Sequence, residues 1–198
     1  MRHAVVAASA FLAACSSPGS MVGRFPDTIQ SNNYSCGVAA VQAVLQYHGI
    51  WGYADTYARE MGTTEADGTH PARMVECLRT HGLDAVLREG LTIADLKHFV
   101  DQGIPVIIDF QAWNEDPKTD YSAAWEDGHY GVVIGYRGET LYIEDPSLLG
   151  TVGELNVAEL ERRWRDYEEV AGKRREYVRA GIVVRGKVDP PPRFTPIE

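Results

Sequence analysis

Gln30-Ser-Asn-Asn-Tyr-Ser-Cys36-Gly-Val-Ala-Ala-Val-Gln-Ala-Val-Leu-Gln-Tyr-His-Gly49 is a polar loop that breaks into an amphipathic helix, with a cysteine where the helix begins. Ser35, backed by Asn32 and Asn33, is of the type that caps a helix N-terminus. Val38, Val41 and Leu45 fall at helical spacing, and Gly49 stops the helix. The Cys36 sulfur is thereby predicted to lie over unpaired backbone N–H groups at the positive end of the helix dipole, which favours thiolate over thiol. Such a thiolate is a nucleophile when a base stands beside it and a donor faces the oxyanion it creates. A free cysteine is as readily a small buried hydrophobe. The rest of the chain has to separate the two.

The 198 residues suffice for one domain with a full core, and 44% apolar with 24% charged residues is an ordinary globular composition. Net charge is −9 and no basic stripe occurs, so nucleic acid is not an expected partner. Three cysteines, Cys15, Cys36 and Cys77, do not make a disulfide framework. No stretch reaches the ~20 apolar residues of a membrane span. No His/Cys ligand spacing points to a metal, and no cofactor is expected.

Residues 1–15 have a short basic start, an apolar run from Ala4 to Ala14, then Cys15, which resembles a secretory signal. Leu12-Ala-Ala-Cys15 further resembles the lipobox of bacterial lipoproteins. That resemblance implies export and membrane attachment through a lipidated Cys15, with Ser16–Ser20 as tether. The alternative is an Ala-rich extension before a true start at Met21, in a cytoplasmic protein. Residues 21–186 are expected to form the domain and 187–198 a Pro-rich, exposed tail.

Beyond the Cys36 helix, short helices are predicted over Tyr53–Met61 and, with Pro71 at the first position, Ala72–His81. Cys77 reads as core; His48 and His81 sit in last helical turns, where a cation suits the dipole. Leu83–Arg88 is a short strand, and Thr92 with Asp95 resembles a capping box opening a helix to Gln102. The texture then turns to strands: Ile104–Phe110, His129–Tyr136 and Leu141–Glu144, the last two joined by an Arg137-Gly-Glu turn. Between the first two lies a loop rich in Trp, Asp and Glu. A helix from Val157 to about Glu168 and a closing strand from Glu176 to Arg185 complete the chain. Helices first and a mostly antiparallel sheet after predict an α+β fold in one domain.

His129 begins a strand between Gly128 and Gly131, which permit close approach of another backbone or a substrate. Asp145 ends the strand paired to it, so the two can lie side by side at one sheet edge. A carboxylate there can accept the His129 Nδ1–H and leave Nε2 facing a thiolate. Taken singly, His129 is equally a neutral core histidine and Asp145-Pro146 a turn starter.

With these residues placed, the chain resembles the papain-like cysteine peptidases, specifically the bacteriocin-processing (double-glycine) peptidases and their stand-alone relatives, over about residues 27–185. The matching pieces are Gln30 six residues before Cys36, Cys36-Gly-Val-Ala-Ala with Tyr47-His-Gly49, Asp127-Gly-His129-Tyr with Val133-Ile-Gly-Tyr136, and Glu144-Asp145-Pro146-Ser. The resemblance implies a papain-like fold, with a helical half packed on the sheet, acting on a peptide or protein substrate. It makes Cys36 the nucleophile, His129 general base then acid, Asp145 the orienting group and Gln30 a donor to the oxyanion with the Cys36 N–H. Members that trim double-glycine leaders are fused to a membrane-spanning, ATP-driven exporter. This chain has no phosphate loop, so leader processing is not implied. Ala112–Asp127 is longer than a strand connection needs; its acids read either as a solvated loop or as a rim favouring cationic substrates. Two other activities fit the same residues: an amidase or peptidyl transferase using the thioester, as in the distantly similar phytochelatin synthases, and a non-catalytic peptide-binding module.

Overall fold

The computed structural model describes residues 19–190 with Pro192 and Pro196; the signal-like run, Cys15 and most of the Pro-rich tail lie outside the described residues. The element order is β1 (Gly19–Met21), α1 (Cys36–Tyr47), α2 (Ala54–Met61), α3 (Pro71–Thr80), β2 (Asp84–Arg88), α4 (Ile93–Asp101), β3 (Val106–Gln111), β4 (Gly128–Arg137), β5 (Thr140–Glu144), β6 (Gly153–Asn156), α5 (Val157–Arg163), β7 (Arg165–Val170), β8 (Lys173–Val178) and β9 (Gly181–Arg185). The α+β reading holds. Helices α1 to α4 precede most of an antiparallel sheet whose strands run β2-β9-β3-β4-β5-β6, with β1 added on β4; β7 and β8 form a separate ribbon.

The apolar runs decide which strands are central. All six residues of β3 are buried, as are residues 129–135 of β4, because both faces of this sheet are covered. Helix α1 supplies one cover: Val38, Val41, Val44 and Leu45 are at most 2% exposed, and Ala39, Ala40 and Ala43 let its backbone approach closely. Local chemistry sets the ends as the sequence predicts. Gly62 closes α2 in the left-handed conformation, Pro71 opens α3, and Thr92 and Asp95 complete a reciprocal capping box on α4.

Three expectations need correction. The helix from Val157 ends at Arg163, because Trp164 turns inward, buries its ring and donates its Nε1–H to Ala180 O at 2.8 Å. Residues 165–170 then pair as strand β7. The closing strand is two strands in different sheets, broken at Arg179, whose φ of 52° turns the chain and whose N–H bonds Trp164 O at 2.9 Å. Gly19 and Ser20, read as tether, pair with Arg137 and Tyr136 in β1. His48 also differs from its reading: it is buried, burial pushes it toward the neutral form, and its Nδ1 pairs with Lys187 O at 3.0 Å.

Candidate active site

The Gln30–Cys36 loop is held from both ends. Thr28 donates its N–H to Glu144 Oε1 at 2.8 Å and its hydroxyl to Ala39 O at 3.0 Å. Gln30 N–H donates to Pro146 O at 2.9 Å. Residues 28–30 thus run between α1 and the end of β5, and Gln30 comes to lie beside the residues that follow Asp145. The Ser147 hydroxyl donates to Gln30 Oε1 at 3.3 Å, leaving the NH₂ end of the amide for another acceptor. Ser35 is the N-cap residue of α1 but makes no capping bond from its side chain. Its Oγ instead accepts from Ser31 N–H at 3.1 Å and Asn32 N–H at 3.3 Å, closing the loop on itself. The expected cap is therefore a loop brace, and the first N–H groups of α1 keep no side-chain partner at the point where Cys36 stands.

His129 is the second residue of β4 and Asp145 follows β5, both 5% exposed, with His129 Nε2 2.7 Å from Asp145 Oδ1. They occupy one end of neighbouring interior strands rather than a sheet edge. The ring is turned opposite to the expected sense: Nε2, not Nδ1, meets the carboxylate. Nδ1 is then the nitrogen left for Cys36, which lies near enough for its charge to act on this imidazole. The orienting logic is unchanged, since the nitrogen bonded to the carboxylate fixes the role of the other.

Burial alone would push the His129 imidazole down, but the Asp145 bond and the neighbouring Cys36, with the charges of both, outweigh burial and carry it up to about 9. Burial would likewise raise Asp145, yet the His129 bond and charge, with further donors, hold it below the usual carboxylate range. Those donors are Ser147 N–H, on Oδ1 at 2.9 Å, and Trp113 Nε1–H, on Oδ2 at 3.1 Å. Trp113 was not singled out in the sequence. Its φ of 63° is unusual for a side chain of this size, and its ring lies edge-on to His129 with centroids 6.4 Å apart. A tryptophan in a polar loop before a histidine strand was the available signal; only the fold brings it back onto Asp145.

Cys36 also lines a cavity of about 390 Å³. Its far wall is β7, whose Asp166 approaches so closely that a Cβ on Gly128 would sit 2.0 Å from Oδ2. That explains one flanking glycine of His129: it makes room for a carboxylate. Gly37 does the same beside Cys36, where a Cβ would meet Thr69 at 2.9 Å and Tyr130 at 3.1 Å. The carboxyl of Asp109, 6% exposed, faces Asp166 here. Burial, then the neighbouring Asp166, pushes Asp109 well up, so Asp109 keeps the proton and Asp166, pushed up to about 6, ionises first.

The loop over 112–127 is more than a solvated rim. Gln111, fully buried, accepts from Asp127 N–H at 2.8 Å and donates to Arg165 O and Asp166 Oδ1, both at 3.1 Å, tying the loop base to β7. Asn114 donates to Asp127 Oδ1 at 2.7 Å, and Arg163 stacks 4.1 Å from the Tyr121 ring. Of the loop acids, Glu126 lines the cavity at Cys36; Glu115, Asp116 and Asp120 are exposed.

Among the described residues, Glu60, Cys77 and His81 form a group whose donor atoms lie within 4.8 Å of one another. They satisfy each other without an ion. Glu60 accepts from the Cys77 thiol at 3.5 Å and pairs with His81 at 2.9 Å, while burial, then Glu60, pushes the Cys77 thiol up to about 12. Cys77 is 4% exposed, in keeping with its core reading.

Comparison with known proteins gives the family and bears on the fold. Residues 23–172 match the Peptidase_C39 like family. No curated protein matches the chain. Among solved structures, a C39-like peptidase from Bacillus anthracis superposes with a TM-score of 0.64 at 19% identity, covering 87% of this chain and 100% of that one. A double glycine motif protease from an AMS/PCAT transporter, in complex with its leader peptide, gives 0.59 at 19% identity over 83% of this chain and 93% of that one. The peptidase domain of Streptococcus ComA, a bi-functional ABC transporter, gives 0.57 at 19% identity over 79% and 95%. At these identities the likeness is one of fold, and the papain-like expectation is met.

Proposed function

The chain belongs to the Peptidase_C39 like family, and from that premise we propose that it is a cysteine peptidase that hydrolyses peptide bonds through a thioester on Cys36. The observation that carries this reading is one buried imidazole bonded through Nε2 to Asp145, with its other nitrogen left for the neighbouring Cys36 at an uncapped helix start. In the proposed reaction His129 takes the Cys36 proton, and the sulfur attacks the amide carbonyl. The oxyanion is held by the Cys36 N–H and the Gln30 amide, whose NH₂ end is left open by the Ser147 bond to Oε1. The imidazolium protonates the departing amine, and the neutral ring then deprotonates water for thioester hydrolysis. Trp113 covers the His129–Asp145 pair on one side and adds a donor that keeps Asp145 ionised.

The test is peptide cleavage by the purified chain, read for hydrolysis products, with Gln30→Ala beside it. Losing one oxyanion donor is expected to lower kcat by about 10²–10³-fold with KM nearly unchanged, because the donor acts chiefly on the transition state. Near wild-type turnover in Gln30→Ala would remove Gln30 from the mechanism.

A further inference from the structure

Six residues lining the cavity on the β7 side of Cys36 carry carboxyls: Asp67, Asp109, Glu126, Asp166, Glu168 and Glu169; among the described residues no Lys or Arg lines it. Acids on a surface are ordinary, and most of these have partners. Glu168 pairs with His70 at 2.7 Å and accepts from Tyr177; Glu126 accepts from Tyr167 at 2.7 Å; Asp166 accepts from Gln111 at 3.1 Å. Asp109 is different. It is 94% buried, lines the cavity, and its Oδ1 has no hydrogen-bond partner. A buried carboxyl oxygen without a partner is costly unless a donor from outside the chain completes it.

The walls point to the kind of donor. Tyr34, Trp125, Tyr130 and Tyr167 line the cavity with the carboxyls, and acids among aromatic rings are the chemistry that holds an ammonium or guanidinium. The nearby guanidiniums do not fill this role: Arg174 stacks on Tyr167 at 3.8 Å and Arg165 on Trp125 at 5.2 Å, neither lining the cavity. At about 390 Å³ the space is at the small end of ligand pockets, ~300–1,000 Å³, and takes one long side chain rather than a folded partner.

We propose that this cavity is a specificity subsite for a cationic side chain of the peptide substrate, carried next to the bond that Cys36 attacks, with Asp109 and Asp166 as its anion pair. The proposal rests on the peptidase reading above. The bound cation takes the place of the proton that Asp109 otherwise keeps. The acids that define the preference thus come from β3 and β7, with Glu126 as the contribution of the 112–127 loop.

The experiment measures modification of Cys36 in the full chain by three methanethiosulfonates: methyl (neutral), aminoethyl (cationic) and sulfonatoethyl (anionic). In each, the thiolate displaces methanesulfinate to form a mixed disulfide, followed by peptide mapping. The ratio of cationic to neutral rates cancels the intrinsic reactivity of the sulfur. It is expected to exceed unity in the wild type and to fall about tenfold in Asp109→Asn/Asp166→Asn, as for loss of a close charge pair. Glu161→Gln, on the exposed face of α5, removes charge elsewhere and should change the ratio less than twofold. The neutral rate in each variant reports that the site is folded. A ratio unchanged by the double substitution, with a normal neutral rate, overturns the subsite and leaves the peptidase reading standing. A Cys36 that ignores even the neutral reagent overturns both.

Discussion

His129→Ala is expected to lower kcat/KM for peptide hydrolysis by about 10⁴–10⁶-fold, the range seen when the base of a nucleophile–base–acid set is removed. The proposed chemistry asks this ring for three steps: taking the thiol proton, protonating the leaving amine and deprotonating water. No described neighbour replaces it. The carboxyls of Asp109 and Asp166 lie near Cys36, but the first is kept protonated by burial and by its partner. The substitution removes the ring's contacts with Phe110 and Trp113 but should leave the fold intact, since the strand register is set by backbone pairing with β3 and β5. Thermal unfolding of the variant checks that point. Retention of more than a few per cent of wild-type turnover would contradict the assignment.

Asp145→Ala is expected to cost about 10⁴-fold in kcat and to displace the pH profile. In the wild type the imidazolium persists up to about 9, so the step that protonates the leaving amine fails as pH rises through that value. Removing Asp145 deletes a hydrogen bond and a charge that raise the imidazole, while the burial that lowers it remains. The descending limb must therefore move to lower pH. A stability defect alone would reduce activity at every pH without moving the limb. Asp145→Asn should be only a partial rescue. Oδ1 accepts from His129 and Ser147 and Oδ2 accepts from Trp113, so an amide necessarily turns its NH₂ toward one existing donor.

How much of this was legible in the sequence depended on whether the signal was local. Gly62, Pro71 and the Thr92–Asp95 box act within one turn of helix, and their elements end where the sequence says. The runs at β3 and β4 declare strands buried on both faces. The end of α5 and the break between β8 and β9 are not legible in the sequence, because what turns the chain there is a pair of contacts between residues about 15 apart: Trp164 Nε1–H to Ala180 O and Arg179 N–H to Trp164 O. The same holds at the site. Cys36, His129 and Asp145 were singled out because each begins or ends an element, and the fold brings the three together. The sense of the imidazole, the bond from Trp113 and the facing of Asp109 with Asp166 depend on strand order and on loop 112–127 folding back. No spacing along the chain encodes them.

The most direct test of the central claim, a Cys36 made nucleophilic by His129, is alkylation with iodoacetamide from pH 5 to 9, with modification at each cysteine followed by mass spectrometry. Cys77, buried with its thiol pushed up to about 12, is the slow internal reference. The account predicts that Cys36 is labelled rapidly already at pH 6, far ahead of Cys77, and that His129→Ala slows it there by at least about tenfold. Slow labelling of Cys36 that rises only toward an ordinary thiol's ~8.5, unchanged by His129→Ala, would contradict it.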